Sequence, residues 1–298
     1  MRRCSAMDVS DMWQVGSDRS LQLDQPRLMG VLNVTPDSFS DGGSFVTADR
    51  AVDHGLRMVD DGASIIDVGG ESTRPGAQRV SVEEQVERTV GVIERLRRET
   101  DVLISIDTTR SAVAEAALEA GADIINDVAA GTEDKRMFEL ARRRRCGLVL
   151  MHRLRPPDAD SYSDQYRDPP VYDDVVATVR DYLMDRCQAA IGKGVDPSAI
   201  VIDPGLGFGK TVRQNYQLIG GIDALLGIGY PVLSSASRKS FIGAVSGVAD
   251  PSDRIIGSTA VSVMHWLAGV RLFRVHDVAA HRQALAVAAA ARPAPQPV

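Results

Sequence analysis

The stretch Leu28-Met-Gly-Val-Leu-Asn33-Val-Thr-Pro-Asp-Ser-Phe39-Ser-Asp-Gly-Gly43 is an apolar run of strand length that ends in an amide and continues into a polar loop tipped with glycines. The same pattern recurs along the chain: seven further apolar runs also end in a residue able to bind a ligand or react. Those ends are Asp67, Asp107, Asn126, His152, Asp203, Ser237 and the pair Arg274/His276. Functional groups gathered at one end of many parallel strands are typical of a (β/α)8 TIM barrel.

The spacing of these runs supports a closed α/β barrel over an open sheet. We predict strands at 28–35, 64–70, 102–108, 123–128, 147–152, 199–205, 231–237 and 272–277. Amphipathic helices are predicted at 51–59, 82–96, 111–120, 173–191, 216–226, 254–267 and 278–292. An open doubly wound sheet would place functional strand ends only at its switch point, not at eight strands. We therefore predict an N-terminal extension over 1–25, either a loose tail or an extra strand pair, one barrel domain over 26–292, and a disordered tail over 293–298.

Bulk properties exclude several classes of protein. The formal net charge of -6 argues against a nucleic-acid partner, because no basic surface is implied by the total. No apolar run approaches the length of a membrane span, and the N-terminus has no apolar centre of a secretory signal. Cys4, Cys146 and Cys187 are far apart and lack metal-ligand spacing, which favours reduced thiols and a cytoplasmic location.

The strand ends carry two kinds of chemistry. The carboxylates of Asp107 and Asp203 and the amide of Asn126 can hold a flat heterocycle, because carboxylates accept from adjacent ring N–H and NH2 groups. Alternation along the last strand puts Arg274 and His276 on one side, where barrels often bind phosphate. Taken singly, each residue also fits a strand-end cap. Together they predict a site for a nitrogen heterocycle beside a site for an anion.

Three loop motifs fit the same interpretation. Thr73 and Arg74 follow paired glycines and offer a hydroxyl and a fork of donors suited to phosphate, although a polar surface loop is the alternative. The run from Asp203 to Thr211 is not a phosphate-binding Walker A loop, since Pro204 stands where that motif requires glycine. Lys239 directly follows a buried strand, where it can donate to a ring carbonyl or nitrogen or simply begin a helix.

In order along the chain, these motifs resemble the dihydropteroate synthase family of pterin-binding barrels. The resemblance runs from about residue 28 to residue 278. It is carried by Gly30–Gly43, Asp67–Gly76, Ser105–Thr108, Ile125–Val128, Met151-His152, Asp203–Lys210, Ser237–Gly243 and Arg274–Asp277. Each motif is modest by itself, whereas the ordered set is specific.

The resemblance implies condensation of 6-hydroxymethyl-7,8-dihydropterin diphosphate with 4-aminobenzoate, with Mg2+ as the required metal and a homodimer formed through the late helices. The pterin side of the site would be Asp67, Asp107, Asn126, Met151, Asp203, Phe208 and Lys239. The aminobenzoate side would be Phe39, Thr73, Pro75 and Ser240. Asn33 would help bind the metal-diphosphate, and Arg74, Arg274 and His276 would hold the anion. The catalytic set would be Asp107, Lys239, Arg274 and His276, with Asp107 stabilising positive charge on the pterin.

The chain departs from the family at two places. Arg153-Leu-Arg-Pro-Pro157 follows Met151-His152, where the family commonly has Met, Gln and Gly, and it opens a long loop to Pro170 that is a lid or a tolerated insertion. Ser235 stands where the family usually has glycine, so its side chain could tighten the pterin pocket or tilt the ring. A non-catalytic pterin-binding paralogue and a methyltetrahydrofolate-binding methyltransferase domain are the alternatives. The second has no need of Ser237–Ser240 or of the loop Thr35–Ser40.

Overall fold

The computed structural model describes residues 12–35 and 44–291, and within them eight parallel strands form one sheet. The strands are β3 Arg27–Asn33, β4 Ile65–Gly69, β5 Leu103–Asp107, β6 Ile124–Asp127, β7 Gly147–Met151, β8 Ile200–Asp203, β9 Leu233–Ser234 and β10 Leu272–Val275. Neighbours follow the order β8-β7-β6-β5-β4-β3-β10-β9. A parallel bridge between Ile202 and Val232 joins β8 to β9 and closes the ring. The predicted (β/α)8 TIM barrel and all eight predicted strands are confirmed.

Helices cover the outside of the barrel. They are α1 Ser44–Asp60, α2 Val82–Glu99, α3 Ser111–Glu119, α4 Met137–Arg144, α5 Val175–Gly192, α6 Val212–Gly220, α7 Ile222–Leu226, α8 Ser240–Ser246, α9 Ile255–Ala268 and α10 Val278–Ala290. None of the helices in the described ranges is long and apolar enough to cross a membrane. The single helix predicted at 216–226 is wrong, because α6 starts earlier and a break at Gly221 separates it from α7. Thr211 and Gln214 form a capping box that fixes the earlier start.

The N-terminal strand pair lies beneath the barrel. Strands β1 Met12–Gln14 and β2 Ser20–Gln22 pair antiparallel, so residues 12–22 form the strand pair that was one of the two expectations for this segment. Trp13 is fully buried and its indole N–H donates to the carbonyl of Ala199 at 2.8 Å. The hairpin therefore closes the end of the barrel where the strands begin.

The barrel interior changes from apolar to polar along the strands. Side chains alternate inward and outward along each strand, so each strand contributes every second residue to the interior. The layer next to Trp13 is apolar and buried, and it consists of Met29, Ile65, Leu103, Ile124, Val149, Val201, Leu233 and Leu272. Two residues further along each strand the interior residues are Val31, Asp67, Ser105, Asn126, Met151, Asp203, Ser235 and Arg274. Most of these residues are polar. We call this layer, at the carboxyl ends of the strands, the polar floor.

Candidate functional site

Arg274 lies at the centre of the polar floor, between two carboxylates. Its Nε donates to Oδ2 of Asp67 at 2.6 Å, and its Nη2 donates to Oδ2 of Asp107 at 2.8 Å. Asn126 donates its amide N–H to the same Asp67 oxygen at 3.1 Å. The structure thus brings together four side chains from the ends of β4, β5, β6 and β10, as the sequence analysis expected of residues at strand ends.

This cluster leaves acceptors available to a ligand. Within the described part of the chain, Oδ1 of Asp67 and Oδ1 of Asp107 are buried and have no hydrogen-bond partner. Buried carboxylate oxygens without a partner are costly, and a ligand carrying N–H donors would satisfy them. Burial raises the pKa of Asp107 to about 7, with Arg274 opposing the rise and Asp67 adding to it.

Asp203 forms a second acceptor at the end of β8. Its Oδ1 accepts from the backbone N–H of Gly205 at 2.6 Å, and its Oδ2 accepts from the hydroxyl of Ser235 at 2.6 Å. Burial raises the pKa of Asp203, and the bonds from Ser235 and Gly205 lower it. The hydroxyl of Ser235 thus points at a carboxylate, a bond that the sequence analysis did not foresee when it expected this side chain to tighten the pocket or tilt the ring.

An apolar wall stands beside these acceptors. Val128, Met151 and Phe208 pack together as a small buried cluster at the mouth of the barrel. The Nζ atom of Lys239 lies 4.1 Å from the centre of the Phe208 ring, a cation–π contact. Burial lowers the pKa of Lys239 to about 8. A flat ligand bounded by Phe208 and Met151 would therefore meet an ammonium group at its edge.

The position of Lys239 is fixed by its neighbour. Arg238 has a φ of 60°, in the left-handed region that a residue with a β-carbon rarely adopts. Its guanidinium pairs with Asp277, Nε donating to Oδ2 at 2.9 Å, and its backbone N–H donates to the hydroxyl of Ser258 at 2.9 Å. The bonds to α9 and to the start of α10 hold the turn that directs Lys239 inward.

Two of the residues predicted to bind the metal-diphosphate lie at the ends of β3 and β10. Asn33 and His276 line an open groove together with α1 residues that the sequence analysis did not assign, Arg50, His54 and Arg57. The Nδ1 atom of His276 lies 3.0 Å from the hydroxyl of Ser237. Burial, followed by Arg274, lowers the pKa of His276 to about 3, so its imidazole is neutral at physiological pH. Arg74 is exposed but close enough to contribute to that lowering.

Three of the residues predicted to bind aminobenzoate, Thr73, Pro75 and Ser240, lie on loops or a helix start at the carboxyl ends of the strands. Thr73 on the β4–α2 loop lines a narrow pocket that Asp107 and Val128 also line. Pro75 is half-buried on the same loop. Ser240 is the first residue of α8, and its hydroxyl accepts from the backbone N–H of Ser163 at 3.1 Å. Phe39 lies outside the described residues.

The long loop from Arg153 to Pro170 is part of the mouth. Arg153 pairs with Glu133, which also pairs with Arg79 of the β4–α2 loop and accepts from the hydroxyl of Thr109 at 2.7 Å. The carbonyl of Pro157 accepts from the backbone N–H of Gly76 at 2.8 Å. The departure at Arg153 therefore ties this loop to the β4–α2 loop through one partly buried carboxylate, that of Glu133.

Lys210 holds the loop after β8, a role that the sequence analysis did not assign to it. It is fully buried, and its Nζ contacts His152 Nδ1 at 3.0 Å, the carbonyl of Gly205 at 2.9 Å and that of Phe208 at 2.8 Å. These bonds hold the glycine-rich loop after β8 in the shape that presents Phe208. The signal in the sequence was a lysine directly after a loop with three glycines, Gly205, Gly207 and Gly209, and the rejection of a Walker A motif left that lysine without a role.

Comparison with known proteins agrees with this geometry. The sequence profile of the family described as "pterin binding enzyme" matches residues 29–276. A dihydropteroate synthase of Streptococcus pyogenes serotype M6 is 47% identical over 261 residues, which cover 87% of this chain and 93% of that protein.

Two solved structures from Xanthomonas albilineans are similar to the whole barrel. Its dihydropteroate synthase with 4-aminobenzoic acid superposes with a TM-score of 0.87 at 44% identity, covering 95% of this chain and 100% of that one. The same enzyme in complex with 7,8-dihydropteroate gives a TM-score of 0.83 at 41% identity, covering 94% and 100%.

The chain therefore belongs to the pterin binding enzyme family, on a (β/α)8 barrel. Within that family, the relatives that it matches are dihydropteroate synthases.

Proposed function

We propose that this chain is a dihydropteroate synthase, a transferase that condenses 6-hydroxymethyl-7,8-dihydropterin diphosphate with 4-aminobenzoate in folate biosynthesis. The products are 7,8-dihydropteroate and diphosphate. The observation that carries the proposal is the buried arrangement of Asp67, Asp107, Asn126 and Asp203 around Arg274, with the outer oxygens of Asp67 and Asp107 lacking a partner. That arrangement suits a flat ring edged with N–H donors.

The reaction needs charge stabilisation and positioning, and no nucleophilic side chain. The amine nitrogen of aminobenzoate bonds to the exocyclic CH2 of the pterin. The C–O bond to diphosphate breaks, and its electron pair leaves with the anion while the amine gives up a proton. Positive charge develops on the pterin as the anion leaves, and in our proposal the buried Asp107 carboxylate stabilises that charge. Groups fixed in place before reaction, in a site shielded from water, commonly supply the largest catalytic contribution.

The anion side suits a departing diphosphate. Arg274, Lys239 and Arg74 are cationic, and neutral His276 can donate a hydrogen bond from its Nε2, since Nδ1 faces Ser237. In our proposal the catalytic residues are Asp107, Lys239, Arg274 and His276. Thr73, Pro75, Phe39 and Ser240 form the side that receives aminobenzoate.

Mg2+ fits this site as an ion held largely by the substrate. Among the described residues no group of three or more His, Cys, Asp or Glu side chains could hold a metal. Mg2+ commonly keeps several waters and binds substrate phosphates with only one or two protein ligands. Asn33, with its amide at the edge of the anion groove, would supply such a ligand. When bound, the ion would neutralise charge on the diphosphate.

Two alternatives from the sequence are less well supported. A methyltetrahydrofolate-binding methyltransferase domain has no need of Ser237–Ser240, which this chain braces with Asp277 and Ser258. A non-catalytic paralogue would be supported if Ser235 or Arg153 blocked the pocket. Instead Ser235 bonds Asp203 and Arg153 bonds Glu133, and both acceptors of the Asp67–Asp107 pair stay open.

A continuous assay of diphosphate release tests the function. We expect release with the pterin diphosphate, 4-aminobenzoate and Mg2+ all present, and formation of 7,8-dihydropteroate in equal amount. Omitting aminobenzoate should abolish release. Release that does not require aminobenzoate, or pterin binding with no release at all, would contradict the transferase assignment.

We further propose a homodimer and a cytoplasmic location. On α9, Ile256 is 83% exposed, and Met264 and Leu267 are each 54% exposed, so one face of this helix presents large apolar side chains. Exposed apolar patches of this kind commonly mark protein interfaces, and a second copy of the chain would cover it. Cys146 and Cys187 are free thiols, which supports a reducing compartment.

A further inference from the structure

Ser235 is buried at the end of β9, 5% exposed, and its hydroxyl is 2.6 Å from Oδ2 of Asp203. That distance is typical of a hydroxyl donating to an ionised carboxylate, which is a stronger hydrogen bond than one between neutral groups. The other carboxylate oxygen already accepts from Gly205. Asp203 is therefore held at both oxygens, and each oxygen keeps a lone pair for a ligand.

We propose that Ser235 is a positioning residue for pterin recognition, which fixes the Asp203 carboxylate in its ionised form and in the plane that receives the ring. The inference rests on the proposed pterin substrate. Glycine at this position would leave the carboxylate plane with one bond fewer and with a larger void beside it. The hydroxyl of Ser235 restricts the rotation of the Asp203 carboxylate, so this chain would recognise the ring with a more rigid acceptor.

The charges around Asp203 explain why a neutral donor matters there. Lys239, Arg274 and Lys210 all face it from different elements, and burial nevertheless raises its pKa. A hydrogen bond to the charged form of an acid favours that form. Without the hydroxyl, the pKa of Asp203 rises further, and the fraction able to accept two N–H bonds falls as the pH falls.

Two substitutions separate this role from crowding. Ser235→Ala removes the hydroxyl and keeps the β-carbon, whereas Ser235→Gly removes both. If the hydroxyl positions Asp203, both variants bind a pterin more weakly than the wild type, by roughly 10-fold. If Ser235 only crowds the ring, alanine matches serine and glycine binds more tightly. Because glycine is the residue that the family usually has here, at least that variant should fold.

The measurement is calorimetric binding of 6-hydroxymethylpterin, which lacks the leaving group, between about pH 8 and about pH 5.5. The ratio of the variant Kd to the wild-type Kd should grow further as the pH falls, by up to roughly 10-fold, because loss of the hydroxyl bond raises the pKa of the Asp203 carboxyl. Taking the ratio cancels the titration of Asp107 and Lys210, which both proteins share. The KM for 4-aminobenzoate should stay unchanged.

Ser234→Ala is the matched control. Ser234 directly precedes Ser235 in the chain and is also buried, but its side chain points to the opposite face, where its hydroxyl lies 2.8 Å from Nδ1 of His265 on the outside of the barrel. The control should lower the melting temperature without changing the pH dependence of pterin binding. An equal change in both variants, or Ser235→Ala binding like the wild type at every pH, would overturn the proposal. A wild type that binds pterin in this way but releases no diphosphate would instead refute the proposed activity.

Discussion

The Nη2 atom of Arg274 donates to Oδ2 of Asp107 at 2.8 Å, in a polar floor closed from below by an apolar layer and Trp13. The two residues come from β10 and β5, which β3 and β4 separate in the barrel. An arginine buried between two carboxylates can move toward neither without leaving the other unpaired. The arrangement therefore fixes where Asp107 points, and a fixed carboxylate is what stabilisation of a pterin cation requires.

Asp107→Asn should keep the fold and most of the pterin affinity while losing the negative charge. We expect kcat to fall by roughly two to three orders of magnitude, the scale seen when one preorganised stabilising group is removed. Asp127→Asn is the control, since Asp127 is buried on the neighbouring strand and caps the backbone of Ala129 and Gly131. Stopped-flow or steady-state diphosphate release measures both. A near-normal kcat in Asp107→Asn would rule out the charge-stabilising role.

The pH dependence of kcat should report Asp107. Burial raises its pKa from 3.8 to about 7, and the form that stabilises a cation is the carboxylate, so kcat should rise with pH through about 7. That acidic limb should be absent from the residual activity of Asp107→Asn. The free energy of unfolding should change in the opposite direction. Between pH 3.8 and about 7 the folded state keeps a proton on Asp107 that the unfolded state has lost, so the contribution of Asp107 to stability declines as the pH rises through this window. An unaltered acidic limb in the variant would assign it to another group.

The strand ends were predictable because they depend on local sequence. Each apolar run predicts its own strand, and parallel strands in a barrel bring their carboxyl ends to one face whatever lies between them. Asp107, Asn126 and Asp203 could therefore be placed together before any contact was known. The eight strand positions follow from the same rule, and the structure confirms them.

The partners of those residues were not predictable, because they are distant in sequence. Arg274 and Asp107 are separated by 167 positions, Lys210 and His152 by 58, and Ser235 and Asp203 by 32. No local pattern indicates such pairs. Arg274 could be expected to hold an anion, but its two carboxylate partners, and the role of Ser235 as a donor, appear only when the barrel closes.

Arg153→Met would place at this position the residue that the family commonly has. Arg153 is 7% exposed in its side chain and pairs with Glu133, which Arg79 and Thr109 also contact. We expect a double-mutant cycle with Arg79→Met to give a coupling energy of about 1 kcal/mol, measured by urea unfolding. Because this cluster holds the β4–α2 loop, the KM for aminobenzoate should rise more than the KM for the pterin. Strict additivity of the two changes would show that Glu133 does not couple the loops.

Lys210→Met should destabilise the barrel through the loop after β8. The change leaves His152 Nδ1 and two carbonyls without their donor, and we expect a loss of about 3 kcal/mol in the free energy of unfolding at neutral pH. Lys193→Met, at the exposed end of α5, is the control and should be nearly neutral. The KM for the pterin should also rise, since Phe208 lies on the loop that Lys210 holds.

Lys210 should also make the free energy of unfolding depend on pH. Burial lowers the pKa of Lys210 from 10.5 to about 7, so between these values the unfolded state binds more protons and the contribution of this group to stability rises with pH. The pKa of Lys239 is lowered in the same direction, to about 8, and it remains in the variant. The urea midpoint should therefore rise less between about pH 7 and about pH 9 in Lys210→Met than in the wild type. An equal rise of the urea midpoint in both proteins would mean that the protonation of Lys210 does not differ between the folded and unfolded states over this pH range.

Ile256→Glu should separate the proposed dimer. Ile256 is 83% exposed on the apolar face of α9, and a carboxylate there would face a second copy of the same helix in a two-fold interface, so each substitution acts twice. We expect light scattering after size exclusion to give about twice the 32.1 kDa chain mass for the wild type at micromolar concentration and the single chain mass for the variant. Val171→Glu is the control, because Val171 is 88% exposed in the loop after β7, away from α9. A monomeric wild type would contradict the proposed dimer, and a dimer that survives Ile256→Glu would place the interface away from this face of α9.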